Sequence, residues 1–374
     1  MFKRIGFLLV VSVFVLGPLG VRCSPAASAE NFHVVGPFTA GNLAVYLIRG
    51  SKASGGQHYL TLDEALAQKK VIVRETQEVN NLTVENISNK PVFLQAGQIV
   101  KGGKQDRTLS RDMILSPHSG RVPLPVNCVE HGRWSQRGRS PVATFGSAPT
   151  ILAGKRAMAA NLAGNQEGVW HAVRKAQARL ANVVPGSRAG ISAESPTSME
   201  LTEQNQAVAR SADVYVKKLA KNPNTRGMAI GFVYAINGRL NSGDAYGSDT
   251  LFAKMYPHLL YAAAIDALSH RPVHASRYSL PKAAVVQAML QAVDRAKGYL
   301  LTSRRLISLS VSATAMVQEI NKKTAISAIA PPLKPAIRGD RAIVVRKQTK
   351  AMVMYQTRDV QSHAAFVHRA YLTK

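Results

Sequence analysis

The stretch Leu82-Thr-Val-Glu-Asn-Ile-Ser-Asn-Lys-Pro-Val-Phe-Leu-Gln-Ala-Gly-Gln-Ile-Val100 decides the fold of the first third of this chain. It holds three short runs of apolar and β-branched residues, separated by Ser, Asn, Lys-Pro and Ala-Gly. Short strands at close spacing, divided by turn-forming residues, are typical of a β-sandwich or a β-barrel. The stretch therefore predicts a sheet that turns back on itself several times.

Strand-like runs of the same kind extend on both sides of this stretch, from Phe32 to about Trp134. One helix is expected among them at residues 61–70, where Thr61 stands at the N-cap and Glu64 three residues later. This Thr-x-x-Glu spacing is a capping box, which fixes the start of a helix. We therefore expect a β-rich module with one short helix over residues 30–135.

From about residue 150 the apolar residues recur at helical spacing. Two apolar stripes predict amphipathic helices: Trp170, Val173, Ala176 and Leu180, and then Val208, Ala212, Tyr215 and Leu219. Residues 251–269 and 281–300 are apolar nearly all round, which predicts buried helices. Residues 228–236 predict a strand that enters an Asn-Gly turn, and residues 342–355 predict a hairpin across a basic turn.

These elements together predict an α+β fold, in which a β-rich, sandwich- or barrel-like N-terminal module precedes a helical portion with a terminal β-hairpin. The mainly helical region is expected over residues 150–330, and a basic hairpin and tail over residues 331–374. Residues 135–149, rich in Ser, Gly and Arg, are the expected linker.

The first 29 residues have the pattern of a secretory signal peptide. A basic pair at positions 3–4 precedes an apolar run at residues 5–16, and Ala-Ser-Ala ends at Ala29. That run has about 12 residues, whereas a membrane-spanning helix needs about 20. We expect export to the periplasm or the extracellular space after cleavage near Ala29, with lipidation at Cys23 as the alternative. Cys128 is then the single cysteine, which excludes an internal disulfide.

The formal net charge is +27, from 48 basic and 21 acidic residues. With 46% hydrophobic residues, the composition excludes a disordered, highly charged polymer. The last 104 residues carry 18 basic and 4 acidic side chains, which concentrates the excess near the C-terminus. Such a region attracts polyanions, although no specific nucleic-acid motif accompanies it. A general basic bias of an exported proteome is the alternative explanation.

Two segments carry the densest functional chemistry. In the first, Gly102 and Gly103 are followed by Lys104, Gln105, Asp106 and Arg107. Glycines permit a sharp turn or a close approach to a ligand, and backbone N–H groups beside a cation suit a phosphate or a carboxylate. The alternative is a structural turn in which Asp106 and Arg107 form an ion pair. The spacing is not that of a P-loop.

The second segment brings a thiol, a carboxylate, an imidazole, a guanidinium and an indole together within residues 128–134. Cys128 is a candidate nucleophile if a cation lowers its pKa, and Glu130 is a candidate general base. Arg133 and Trp134 are suited to hold an anionic, ring-containing ligand. The structural alternatives are a buried thiol and an ion pair between Glu130 and Arg133.

No metal or cofactor is expected from the sequence. His118, Cys128 and His131 lack the close spacing of zinc ligands. The chain also contains none of the common motifs of metalloproteases, serine hydrolases, β-lactamases or dinucleotide-binding proteins.

The same two segments carry a family resemblance. Residues 93–107, Phe-Leu-Gln-Ala-Gly-Gln-Ile-Val-Lys-Gly-Gly-Lys-Gln-Asp-Arg, and residues 125–134, Pro-Val-Asn-Cys-Val-Glu-His-Gly-Arg-Trp, resemble two blocks of the ARG and Rhodanese-Phosphatase-superfamily-associated proteins. The resemblance covers about residues 32–270 and implies a setting of nucleotide or ADP-ribose chemistry. Carried onto this chain, it points to Gly102, Gly103, Gln105, Asp106, Arg107, Cys128, Glu130, Arg133 and Trp134.

Three functions follow from these patterns. The first is an exported binding module for an anionic ligand of the nucleotide or sugar-phosphate type, held by Gly102, Gly103, Gln105, Arg107, Arg133 and Trp134. The second is a hydrolase of such a ligand, with Glu130 or Asp106 as general base and Cys128 as a less favoured nucleophile. The third is a non-catalytic envelope protein that adheres to polyanions. Whether the protein is an enzyme stays open at this point.

Overall fold

A computed structural model describes residues 32–50, 58–132, 134–135, 143–186, 197–220, 229–272, 277–301, 338–362 and 366–374. The predicted signal peptide, the alternative lipidation site at Cys23 and the candidate ligand residue Arg133 lie outside the described residues.

The described residues form seventeen strands and seven helices. The strands are β1 (Phe32–Ala40), β2 (Leu43–Gly50), β3 (Leu60–Thr61), β4 (Val71–Glu78), β5 (Asn81–Asn86), β6 (Val92–Leu94), β7 (Gln98–Gly102), β8 (Arg107–Leu109), β9 (Met113–Leu115), β10 (Gly120–Cys128), β11 (Thr144–Ile151), β12 (Ala229–Ile236), β13 (Arg239–Tyr246), β14 (Gly298–Leu301), β15 (Ala342–Gln348), β16 (Met352–Asp359) and β17 (His368–Thr373). The helices are α1 (Leu62–Ala67), α2 (Lys155–Leu162), α3 (Gln166–Val183), α4 (Met199–Gln204), α5 (Gln206–Ala220), α6 (Asp249–Ser269) and α7 (Ala283–Arg295).

Six strands close into a barrel in the order β10-β5-β4-β11-β7-β8, which confirms the barrel-like N-terminal module. Alternate residues of these strands point into the barrel and form its core, as Leu82 and Val84 do on β5 and Val122 and Leu124 on β10. The predicted capping box is confirmed at α1, since Thr61 accepts a hydrogen bond from the Glu64 backbone N–H and donates its own backbone N–H to the Glu64 carboxylate.

A second, eight-stranded antiparallel sheet has the order β1-β2-β12-β13-β17-β16-β15-β14. It combines the first two strands of the described chain with the last six, so this sheet joins residues from both ends of the sequence. The terminal hairpin is confirmed as β15–β16, but Arg346 and Lys347 continue strand β15 and the turn follows at residues 349–351. Helix α7 packs on one face of the sheet and the buried helix α6 on the other.

Three local expectations differ from the structure. Residues 281–300 form a shorter helix, α7, because the chain turns into strand β14, which pairs with β15. Only one face of this helix is buried: Val286, Leu290 and Val293 are buried, whereas Val285 is 51% exposed. Part of the expected linker, from Thr144 onward, is barrel strand β11, where the ring of Phe145 enters the core. In α3 the buried stripe also shifts from the predicted one, to Val169, Val173, Gln177 and Leu180.

A buried histidine joins the barrel side of the molecule to the large sheet. His368 on β17 binds Asp112, which lies between β8 and β9, at 2.7 Å through Nδ1, and it binds Asp244 on β13 at 3.0 Å through Nε2. Asp112 also accepts hydrogen bonds from the Ala96 backbone and from the Thr357 hydroxyl. Burial disfavours the charged ring, but the two carboxylates outweigh it and raise the pKa of His368 to about 9.

In the part of the chain that the structure describes, no helix is both long and apolar enough to cross a membrane.

The His368 bridge predicts a pH-dependent stability. Because its pKa is raised in the folded state, the bridge contributes fully below about pH 6.5 and loses its contribution as the pH rises through 9. The free-energy advantage of the natural chain over His368→Gln should therefore shrink by on the order of 2–3 kcal/mol across that window. Denaturant unfolding at a series of pH values measures this difference. The exposed His171→Gln variant serves as control, and a pH-independent advantage would refute the charged bridge.

Candidate functional site

The barrel brings the two motif segments together at one end. Strand β8 begins at Arg107 and pairs with the end of β10, so that Arg107 stands directly opposite Cys128. The turn at residues 103–106 connects β7 to β8 beside them. The structure thus places Gly102, Gly103, Gln105, Asp106, Arg107, Cys128 and Glu130 in one cluster, with Trp134 at its exposed side.

The tight turn depends on glycine. Gly103 has φ +51°, and a Cβ atom there would lie 2.4 Å from the ring of Phe145 and 2.6 Å from Oε2 of Glu75. Any other residue would therefore collide with the barrel wall. The Gly103 position accordingly fixes the path of the chain into Lys104, whose backbone N–H donates to Glu75.

Gln105 organises the interior of the cluster. Its side-chain N–H donates to the Glu130 carbonyl at 3.1 Å, and its Oε1 atom accepts from the Cys128 thiol at 3.0 Å. Its backbone carbonyl and Oε1 both accept from Nη1 of Arg107, at 2.8 and 3.3 Å. Because these bonds use both ends of its amide, Gln105 holds other site residues in place.

Asp106 and Glu130 are both buried and both bind the backbone. Asp106 accepts from the Gly102 N–H at 3.3 Å and from the Ser198 hydroxyl at 3.4 Å. Glu130 accepts from the Asp106 N–H at 3.4 Å. Each carboxylate therefore anchors a neighbouring loop, an arrangement that favours a structural role over that of a general base.

Cys128 is fully buried. Burial raises the pKa of its thiol to about 11; Arg107 opposes this shift, and Glu75 and Glu130 add to it. The thiol is therefore protonated at neutral pH, which is the opposite of what an activated nucleophile requires.

Arg107 is the most unusual member of the cluster. Its side chain is 0% exposed, and its Nη1 atom donates to two acceptors on Gln105. Nε and Nη2 have no acceptor among the residues that the structure describes. The ring of Trp134, which is 41% exposed, covers the guanidinium at 5.5 Å, and the Lys104 ammonium lies 5.1 Å from the same ring.

Supporting residues from the helical part hold the end of β10, and none of them was expected from the sequence. Gln166 at the start of α3 exchanges two hydrogen bonds with the Cys128 backbone, at 2.7 and 2.8 Å. Asn161 of α2 binds Asn127 and the Leu109 carbonyl. Both are polar residues in the terminal turn of a helix, and that position is the local signal that such contacts leave.

Within the described ranges, no group of three or more His, Cys, Asp or Glu side chains is arranged to hold a metal ion.

A family model for the ARG and Rhodanese-Phosphatase-superfamily-associated Protein domain matches residues 31–326. The chain belongs to this family. The matched region contains the whole barrel, the site cluster and strands β1 to β14, whereas β15 to β17 follow it. No curated protein and no solved structure matches the chain.

The raised pKa predicts that Cys128 is unreactive in the folded protein. In a Cys23→Ser chain, iodoacetamide should label Cys128 slowly at neutral pH and at the ordinary rate of a free thiol after denaturation, because the native thiol is both buried and protonated. Mass spectrometry of the labelled protein measures the two rates. Rapid native labelling would restore Cys128 as a candidate nucleophile.

Proposed function

We propose that this protein is an exported binding module for an anionic ligand of the nucleotide or sugar-phosphate type. The observation that carries the proposal is the buried Arg107 guanidinium with two donor atoms that lack acceptors among the described residues. Export rests on the signal-peptide pattern of residues 1–29.

The donors of Arg107 that lack acceptors are adjacent. Nε and Nη2 lie on the same edge of the guanidinium, where their N–H groups point in one direction and form a fork. This fork matches two oxygens of one phosphate or carboxylate, the geometry in which arginine binds such groups most strongly. A buried charge whose donors lack acceptors is costly. An anion that binds here is therefore stabilised by the positive charge and by hydrogen bonds from both donors.

The residues around Arg107 suit a ligand that is larger than a free phosphate. Trp134 covers the guanidinium from the solvent side and offers an aromatic surface to a ring. Lys104 adds a second cation at the same indole. Entry of the anion requires Trp134 to move aside, so this residue acts as a movable cover in the proposal.

Binding is favoured over the hydrolase alternative by the state of the candidate catalytic groups. Asp106 and Glu130 bind backbone N–H groups, and the Cys128 thiol has a pKa of about 11. None of the three has the arrangement of an activated base or nucleophile.

Tryptophan fluorescence tests the binding proposal. The chain has two tryptophans, so a Trp170→Phe variant leaves Trp134 as the single reporter. Titration with AMP, ribose 5-phosphate and pyrophosphate should change its emission in a saturable manner, and Arg107→Met should abolish the change.

The same Arg107→Met variant separates binding from structure. Replacement of a buried, incompletely paired charge by an apolar side chain of similar length should leave the melting temperature of the ligand-free protein unchanged or higher. Lys217→Met, an exposed change on α5, is the matched control. A collapse of stability in Arg107→Met, or titrations without response in the Trp170→Phe protein, would reject the proposal.

Adhesion to an envelope polyanion is a second candidate function, favoured by the strand register. Tyr299, Arg346 and Tyr355 pair directly across β14, β15 and β16, so their side chains share one face of the sheet, and all three are partly exposed. A cation between two aromatic rings suits an extended anionic chain.

Elution from a heparin column tests this second candidate. Arg346→Gln should elute at lower salt than the natural chain, since each lost contact with an anion removes about one unit from the salt slope. Lys217→Gln changes the net charge equally and serves as control. Equal elution of the two variants would indicate attraction by net charge alone and would remove the sheet face as a binding surface.

A further inference from the structure

A cavity of about 40 Å³ lies between the large sheet and helices α2 and α6. Strands β12, β13 and β17 form one wall, and the chain before α2 and the turn after β6 complete it. None of its lining residues belongs to the cluster around Arg107. The cavity is therefore independent of the proposed anion site.

The walls of the cavity are mostly apolar, and one end is polar. Ile151, Met158, Phe232, Leu259 and Ala262 contribute aliphatic and aromatic surface. The polar end is formed by Gln95, Asp244 and His368. An apolar chamber with polar groups at one end is the usual form of a small-molecule site.

Asp244 presents a carboxylate oxygen that accepts no hydrogen bond from the described residues. Its Oδ1 atom accepts hydrogen bonds from His368 at 3.0 Å and from the Gln95 amide at 3.3 Å. Its Oδ2 atom accepts none from the described residues, and the side chain is 16% exposed whereas that of His368 is 1% exposed. Tyr246 fixes Gln95 through a hydrogen bond of 2.5 Å, so the polar end is held in place before any ligand arrives.

The charge of the polar end is negative. The positive ring of His368 lies between two carboxylates, Asp112 and Asp244, which leaves one negative charge in excess. In surroundings of low polarity this charge strongly favours a cation and repels an anion. The Oδ2 atom of Asp244 additionally requires a hydrogen-bond donor.

We infer that this cavity binds a small alkylammonium ion, with the ammonium group on Asp244 and the alkyl chain against the apolar walls. One water-sized group needs roughly 10–15 Å³. A cavity of about 40 Å³ therefore holds a ligand of about three or four non-hydrogen atoms. Propylammonium matches this size. Its ammonium group can bind the Asp244 carboxylate while its propyl chain contacts the apolar walls. This ligand is a cation, whereas the proposed site at Arg107 takes an anion, and the two sites share no residue.

Thermal unfolding with a matched series of small molecules tests the inference. Propylammonium should raise the melting temperature of the full chain by about 2 °C or more at saturating concentration, relative to sodium chloride of equal ionic strength. Propan-1-ol and propionate have nearly the same size but lack the cation, and they should give no rise. An equal response to propan-1-ol would mean that the cavity is merely apolar and would overturn the inference.

Two variants locate the effect. Asp244→Asn removes the charge, and Ala262→Leu fills the cavity while leaving Asp244 intact; both should abolish the shift. Asp213→Asn, an exposed carboxylate on α5, should keep it. If Asp244→Asn does not fold, Ala262→Leu decides alone. If propylammonium still raises the melting temperature of Ala262→Leu, it binds elsewhere and the inference is wrong.

Discussion

The contact on which the fold depends most is the bridge from Asp112 through His368 to Asp244. Asp112 belongs to the barrel side of the molecule, whereas His368 and Asp244 belong to two neighbouring strands of the large sheet. His368 and Asp112 are buried, and the imidazole binds a carboxylate on each side, so the barrel side and the large sheet can approach only in the orientation that makes both hydrogen bonds. The rings of Phe93 and Tyr246 pack around the imidazole and exclude water from it.

A strongly basic chain here places many of its few acidic residues in the interior. Among the residues that the structure describes, eight acidic side chains are buried: Asp106, Asp112, Glu130, Glu200, Glu203, Asp266, Asp340 and Asp359. Five basic side chains of the described residues are buried with them, namely Arg107, Arg111, Arg341, His368 and Arg369. Burial also raises the pKa of Glu203 to about 8, which leaves that carboxyl uncharged at neutral pH. The surface is consequently more positive than the composition alone suggests, because these carboxylates lie in the interior, where they form ion pairs or bind backbone groups.

Local patterns predicted a good part of the fold. The capping box at Thr61, the apolar stripe from Val208 to Leu219 and the Asn-Gly turn after β12 each depend on residues close in sequence, and all three are found in the structure. The mispredicted helix over residues 281–300 shows the limit: strand β14 forms because β15 provides a partner, and that partner lies some forty residues further along the chain. Pairing across such a distance overrides local periodicity.

The sequence indicated the Arg107 cluster but gave no indication of the His368 bridge. Two neighbouring motifs indicated the Arg107 cluster, since strand pairing places Arg107 opposite Cys128. The burial of Arg107 and the commitment of Asp106 and Glu130 to backbone groups could not be read from spacing. The His368 bridge left no local signal at all, because its partners are 256 and 124 residues away.

Strands β15 to β17 lie beyond residue 326, where the recognised family segment ends, yet they stand in the middle of the large sheet. Strand β17 pairs with β13, and β15 pairs with β14. A protein ended at the recognised boundary would keep β13 and β14 as two bare edges and would lose the histidine that holds Asp112. Such a fragment is expected to aggregate rather than fold, so the autonomous folding unit extends to the final strand and is longer than the segment by which the family is recognised.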